Sequence, residues 1–96
     1  MDLLMLDNFA GCLNEAFHVS FSDGELDFVL VEAQPMPMTM PGAARAPFSL
    51  VFRNSSIIVF PQQIYRMRHA RAGTFEIFLV PIAQDRDGHL YQAVFN

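Results

Sequence analysis

Lysine and tryptophan are absent from this chain of 96 residues, cysteine occurs once, and charged residues make up only 17% of the total. Because Cys12 has no partner in the chain, an internal disulfide and a disulfide-stapled secreted scaffold are excluded. Few charges combined with 52% apolar residues exclude intrinsic disorder, which requires low hydrophobicity and high net charge. Five glycines exclude a collagen-like chain, and no apolar run is long enough to cross a bilayer.

The chain has instead a surplus of large apolar side chains for its size. Ten phenylalanines and six methionines fall in a length that supports a single domain, residues 1–96. A domain this small buries only about 60% of the surface that its unfolded chain exposes. Some large apolar side chains are therefore expected at the surface, where such patches mark interfaces. We expect a homo-oligomer or a complex with a protein partner.

The charges are divided unevenly between the two halves of the chain. Residues 1–44 carry seven acidic side chains and no basic one, whereas residues 45–96 carry six arginines and three acidic side chains. The net charge of −4 argues against general nucleic-acid binding, which requires a broad basic surface. One interpretation is that strands from the two halves pair their charges within the chain, which is the ordinary arrangement. The other is a contact between protomers, acidic surface to basic surface.

The first residues of the sequence, MDLLMLD, contain no basic segment and reach Asp7 after a short apolar stretch. They match neither a signal peptide nor a membrane anchor. Together with the single cysteine, this start predicts a reducing, cytoplasmic location without membrane association.

Hydrophobic periodicity predicts one short N-terminal helix followed by strands. Residues 6–13 have apolar side chains at helical spacing, and after residue 15 the period changes to two. Six or seven strands follow, including a run at 57–60, and the Asp-Gly pairs at 23–24 and 87–88 predict tight hairpins. We expect a mainly β (α+β) domain with a small antiparallel barrel-like or sandwich sheet. The predicted core consists of Phe9, Phe17, Val19, Leu26, Phe28, Leu30, Phe48, Leu50, Phe52, Ile77, Leu79, Tyr91 and Val94.

Four segments together carry a resemblance to a known family: FSLVFR (48–53), IYRMRHA (64–70), IFLVPI (77–82) and YQAVFN (91–96). With the opening LDNF and EAFHV, they resemble a small uncharacterised bacterial β-domain family, a domain of unknown function, over residues 6–96. The resemblance implies a compact β domain that stands alone, without an established activity or catalytic residues. The resemblance also implies that genes of this family lie next to genes for phage-tail-collar-like proteins. From this neighbourhood it implies a tail-associated assembly or accessory role.

Residues 34–47 form a predicted long loop in which prolines alternate with Met36, Met38 and Met40. Alternating prolines favour an extended chain. Thioether ligands two residues apart could hold Cu(I), but no histidine or cysteine lies close in the sequence. Methionine is far more often an adaptable apolar contact. We interpret the three methionines as part of a protein-interaction loop.

Arg66 and Arg68 project from one face of a predicted strand, and Arg71 follows that strand. Their guanidinium groups could bind a phosphate or a carboxylate. Alternatively the two strand arginines face Glu25 and Asp27, which are also two residues apart on a strand. The sequence favours this charge pairing over anion binding, because opposite charges commonly face each other across strands.

No motif identifies a reaction. His18, His69 and His89 lack the spacing of zinc ligands, and Asp85 and Asp87 do not fit a calcium loop. No serine lies in a G-x-S-x-G motif, and no glycine-rich phosphate loop is present. The sequence therefore predicts no enzyme, no cofactor and no metal site. We expect a protein–protein interaction or assembly module; the alternative is a small β-barrel that holds an apolar ligand, since barrel interiors can enclose one small molecule.

Overall fold

The computed structural model describes residues 5–21, 24–37 and 47–95. One short helix, α1 (Asp7–Ala10), precedes the strands. Within the described ranges no helix is long and apolar enough to span a membrane. The strands are β1 (Ala16–Phe21), β2 (Gly24–Pro35), β3 (Phe48–Asn54), β4 (Gln63–His69), β5 (Gly73–Asp85) and β6 (Gly88–Phe95).

These strands pair in the order β1-β2-β3-β6-β5-β4 and close into an antiparallel barrel. Sequence neighbours pair with each other except β3 and β4, and two further pairings join strands that are not neighbours in sequence. β3 pairs with β6 along its whole length, from Phe48 opposite Phe95 to Asn54 opposite His89. The ring closes between β1 and β4, where Val19 is the Cα partner of Met67. Closure confirms the predicted mainly β, barrel-like sheet with one short N-terminal helix.

Gly88 begins β6 after the turn from β5, and the structure requires glycine at this position. Its φ is 134°, a backbone conformation that L side chains rarely adopt. A Cβ atom there would lie 2.1 Å from the carbonyl oxygen of Asn54. The Asp-Gly pair at 87–88 thus allows β6 to approach the end of β3 closely, in addition to making the predicted hairpin.

Alternate side chains along the strands fill the interior of the barrel, because successive residues of a strand point to opposite faces. Phe17, Phe28, Phe52 and Tyr91 are fully buried. The ring centroids are 5.4 Å apart for Phe17 and Phe52 and 5.3 Å apart for Phe28 and Tyr91. These are ordinary distances for aromatic rings in direct contact.

Aromatic side chains from outside the strands close both ends of the barrel. Phe9 of α1 is fully buried, and its ring meets that of Phe75 edge to face at 5.4 Å between centroids. At the other end Phe60, in the loop between β3 and β4, stacks on Phe21 at 5.1 Å. The backbone N–H of Phe60 also donates to the hydroxyl of Tyr91 at 2.9 Å. Phe9 and Phe60 therefore serve as the two end plugs.

Two residues of the predicted core are exposed instead. Val94 is 48% exposed, because Tyr91, Ala93 and Phe95 alternate into the interior and leave Val94 on the outside. Leu26 is 37% exposed, since it lies near the start of β2, at the rim of the barrel. The other predicted core residues are buried.

Two predicted elements also differ from the structure. The helix covers four residues instead of 6–13, and the segment after it is a turn that leads to Asn14, whose φ is 66°. The segment 57–60 is a loop and not a strand. The N–H of Ile58 donates to the hydroxyl of Ser56 at 3.0 Å, so a local side chain satisfies a backbone group that a strand would pair with its neighbour.

Candidate functional site

His69, the last residue of β4, is the centre of a polar cluster at the α1 end of the barrel. Its ring is buried and stacks on Phe17 at 4.5 Å between centroids. The backbone N–H groups of Arg71 and Ala72 both donate to Nδ1 at 3.1 Å. Because Nδ1 accepts these bonds, the neutral ring carries its proton on Nε2, which donates to Glu15 at 2.8 Å. His69 thereby joins the β4–β5 turn to the residue before β1.

Glu15 accepts a second hydrogen bond, from the guanidinium of Arg71. The bond from Arg71, followed by that from His69, lowers the pKa of the Glu15 carboxyl below its usual range. The same ion pair raises the pKa of Arg71. The charge of Glu15 is therefore balanced within the cluster by Arg71.

The thiol of Cys12 completes this cluster from the turn after α1. Its Sγ atom lies 3.9 Å from His69 Nδ1, and the residue is 3% exposed. Cys12, Glu15 and His69 bring possible metal-ligand atoms within 4.8 Å of one another. Thiolate, imidazole and carboxylate are the ligand types that zinc prefers.

The hydrogen bonds of the cluster do not fit a metal ion. Two N–H groups point at Nδ1 of His69, and Nε2 is engaged by Glu15, so neither ring nitrogen presents a free lone pair to a cation. Glu15 already faces the guanidinium of Arg71. A cation would have to displace these donors. The cluster is therefore a hydrogen-bonded junction between the turn after α1 and the β4–β5 turn.

The same contacts give no support for a nucleophilic cysteine. A thiol needs a base whose lone pair is available, and Nδ1 of His69 is occupied by backbone donors. Cys12 is also buried, so a substrate has no direct approach to its sulfur. Sequence reasoning missed the junction because Cys12 and His69 are 57 residues apart and form no motif.

The arginines predicted to form a charged face have different partners. Arg68 donates to both carboxylate oxygens of Glu25, at 2.8 and 3.2 Å, and it reaches across β1 to do so, because β1 lies between β4 and β2. Of the predicted pairing of Arg66 and Arg68 with Glu25 and Asp27, this is the contact that forms. Asp27 does not face an arginine; it bonds to His18 at 2.7 Å. Arg71 belongs to the junction at Glu15. Arg68 with Glu25 and Arg71 with Glu15 thus join the basic second half of the chain to the acidic first half within one molecule.

Arg66 is the exception among the three arginines. Its Cα partner across the β4–β5 pair is Glu76, but within the described ranges neither side chain forms an ion pair. Both are exposed on the outer surface of the barrel. Ile64 lies two residues before Arg66 on β4, and Phe78 lies two residues after Glu76 on β5. Ile64 and Phe78 are Cα partners as well.

We call the surface formed by Ile64, Arg66, Glu76 and Phe78 the β4–β5 outer face. Ile64 is 63% exposed and Phe78 is 49% exposed, although both lie in regular strands. Val94, on the neighbouring strand β6, also projects outward. Large apolar side chains that share one face of a sheet and contact solvent are typical of a binding surface.

The other predicted residues are not brought to this face or to one another. His89 bonds through Nδ1 to the carbonyl oxygen of Ser56, far along the chain from the other two histidines and their own partners. Met36 is exposed, and its N–H donates to the carbonyl oxygen of Pro47 at 3.0 Å. Met38 and Met40 lie outside the described residues.

Residues 4–95 match the model of a family described as a domain of unknown function (DUF6916). No curated protein and no solved structure matches the chain. The match confirms the resemblance noted from the strand segments and spans every described strand. It assigns no catalytic, metal-binding or partner-binding residue, so the geometry alone identifies the candidate surfaces.

Proposed function

Because the chain belongs to the DUF6916 family, a domain of unknown function, we propose a function from its surface. The proposed function is that of a non-enzymatic protein-binding module for assembly. The β4–β5 outer face is the binding surface in this proposal. The observation that carries it is the exposure of Ile64 and Phe78 as cross-strand partners. A solvent-exposed aromatic and β-branched pair loses apolar hydration when it is covered, which favours association.

The Arg66–Glu76 row beside this pair supports the same function. A polar border around an apolar centre is the usual composition of a protein interface.

The alternative is an apolar ligand inside the barrel. The contact distances between buried rings, such as 5.4 Å for Phe17 and Phe52, are those of aromatic side chains that already fill the interior. Phe9 and Phe60 occupy the two ends. These contacts favour the outer face over the interior as the place where the apolar surplus acts.

An accessory role next to phage-tail-collar-like proteins, a cytoplasmic location and a contribution of the loop with Met36, Met38 and Met40 remain predictions from the sequence. Each is compatible with a binding module. None of them is needed for the argument from the outer face.

The proposal is tested by site-specific photocrosslinking in the host cell. Phe78 is replaced by benzoylphenylalanine, and Arg86, exposed in the β5–β6 turn, is replaced in a matched control. We expect an adduct from position 78 and none from position 86. Excess wild-type protein should compete the adduct away, whereas the Phe78→Ser variant should not. Equal adducts at both positions, or none at position 78, would overturn the proposal.

A further inference from the structure

We propose that the occupant of the β4–β5 outer face is a second copy of this chain, an inference that rests on the proposed function. The two copies pack face to face and are related by a two-fold axis. This axis lies above the outer face and runs parallel to the strands, over the line between β4 and β5. Most soluble oligomers are symmetric, and a two-fold contact requires a surface that is complementary to itself.

The β4–β5 outer face has this property because its residues form two rows across the strand pair. Ile64 and Phe78 form the apolar row, and Arg66 and Glu76 form the charged row. Within each row the two residues are Cα partners, so they lie at the same height on either side of the line between β4 and β5.

Rotation about the two-fold axis, which lies above the face and parallel to this line, places β4 of one copy over β5 of the other. Each side chain then meets the second copy of its own cross-strand partner. Ile64 packs on Phe78 of the second copy, and Arg66 faces Glu76 of the second copy. Every contact occurs twice, and each one joins either two apolar groups or two opposite charges.

The charges also select this axis over the perpendicular one. A two-fold axis that crosses the strands between the two rows would place Ile64 over Arg66 of the second copy and Phe78 over Glu76. Each charge would then lose water without gaining an opposite charge, which is costly. The order of residues along the two strands therefore specifies one arrangement.

Arg66 and Glu76 are available for these contacts. Arg68 is held by Glu25, and Arg53 is held by Asp85 at 2.8 Å. Within the described ranges, Arg66 and Glu76 form no such pair. A contact between copies would give Arg66 and Glu76 an ion pair of the kind that Arg68 already forms within the chain.

The test is sedimentation velocity of the untagged protein over a wide range of concentrations. Because the face is small, we expect a reversible dimer whose population rises with concentration and falls with added salt. Arg66→Glu and Glu76→Arg should each weaken dimerisation by about tenfold or more, since like charges then face each other. Arg86→Glu, the same charge change in the β5–β6 turn, should leave it unchanged.

An equimolar mixture of the Arg66→Glu and Glu76→Arg variants gives the decisive result. One copy then carries two acidic residues and the other two basic residues, so heterodimers should form where neither variant dimerises alone. The double variant, in which the charges are exchanged, should dimerise again. Thermal melting checks that each variant folds, and Arg66→Gln with Glu76→Gln replace any variant that does not.

The outcomes separate this inference from the proposed function. Dimerisation that is lost in Phe78→Ser but unaffected by the charge variants would overturn the reciprocal arrangement and leave the apolar binding surface in place. A wild-type chain that stays monomeric, with a crosslink from position 78 to a different protein, would overturn self-association while supporting the binding module. Dimers without restoration in the mixture would also overturn the arrangement.

Discussion

Nε2 of His69 and the carboxylate of Glu15 are 2.8 Å apart, and this hydrogen bond joins two segments that are 54 residues apart in the chain. The bond works together with the two backbone N–H groups that donate to Nδ1 of the same ring. One buried imidazole thus satisfies the β4–β5 turn on one side and fixes the start of β1 on the other. Its importance is structural, and the first prediction follows from it.

Replacing His69 by alanine removes the acceptor for the N–H groups of Arg71 and Ala72 and leaves a cavity beside Phe17. Loss of the acceptor for these partly buried donors, together with loss of the buried ring that packs on Phe17, should lower the free energy of unfolding by about 2 kcal/mol or more. Urea denaturation measures the change. His18→Ala is the matched control: the ring of His18 is half exposed and bonds to Asp27, so a loss as large as that of His69→Ala would contradict the junction.

Within the described ranges, three acidic residues bond to arginine, and they predict how stability depends on pH. Arg71, Arg68 and Arg53 lower the pKa of Glu15, Glu25 and Asp85 respectively. A carboxyl whose pKa is lower in the folded state stabilises the fold above its unfolded pKa, which is 4.5 for a glutamate, and loses this contribution as the pH falls through the folded value. The free energy of unfolding should therefore decline as the pH falls below the unfolded pKa values of these carboxyls.

The measurement is urea denaturation at a series of pH values for the wild type and two variants. Glu15→Gln should show a weaker decline in acid, because one of the three shifted carboxyls is gone. Glu32→Gln is the control, since Glu32 bonds to the amide of Gln34 and forms no ion pair within the part of the chain that the structure describes. If both variants decline as the wild type does, the pairing at Glu15 does not contribute to acid unfolding.

Phe9→Ala should be among the most destabilising substitutions in the chain. Its ring is fully buried against rings from four strands, and removing such a ring costs about 3–5 kcal/mol. Leu13→Ala, in the turn that follows the helix, removes an exposed side chain and should change stability by less than about 0.5 kcal/mol. Thermal melting of the two variants compares them, and similar losses would show that α1 is not an end plug.

Gly88→Ala should destabilise the barrel more than Gly24→Ala, although both glycines have positive φ. The added Cβ at position 88 would lie 2.1 Å from the carbonyl oxygen of Asn54, whereas at position 24 it would have open space. We expect a loss of about 3 kcal/mol or more at Gly88 and a smaller one, from backbone strain alone, at Gly24. Equal losses in urea denaturation would mean that the contact with β3 is relieved without cost.

The sequence predicts those structural features that depend on residues close together in the chain. Alternation around Phe17, Phe52 and Ile77 predicts strands with a buried face, and the pair at 87–88 predicts a hairpin. What it misses depends on contacts between distant segments. Phe60, one of the two end plugs, belongs to the segment 57–60, which has the apolar pattern of a strand but forms a loop. Its N–H donates to the hydroxyl of Tyr91, a contact with a distant segment that no local pattern indicates.

The candidate surfaces show the same division. The sequence favours Arg66 and Arg68 facing Glu25 and Asp27, because both sets alternate along strands, and of these only Arg68 and Glu25 are bonded in the described structure. That Arg66 faces Glu76 depends on the register of β4 and β5, which the spacing between the two strands does not specify. The junction at His69 requires α1 and the β4–β5 turn to meet at one end of the barrel, and no local pattern indicates this.

Closure of the ring has a consequence for how this protein can acquire a partner. Within the described residues every strand has a neighbour on both sides, although β1 and β4 share only the pairs at His18 and Val19. Little of the sheet edge is therefore free for a visiting segment to pair with, and recognition falls mainly to the side chains that point outward. On β4 and β5 these alternate with the inward residues that hold the barrel together, so changes at Ile64, Arg66, Glu76 and Phe78 can redirect binding while the interior stays as it is.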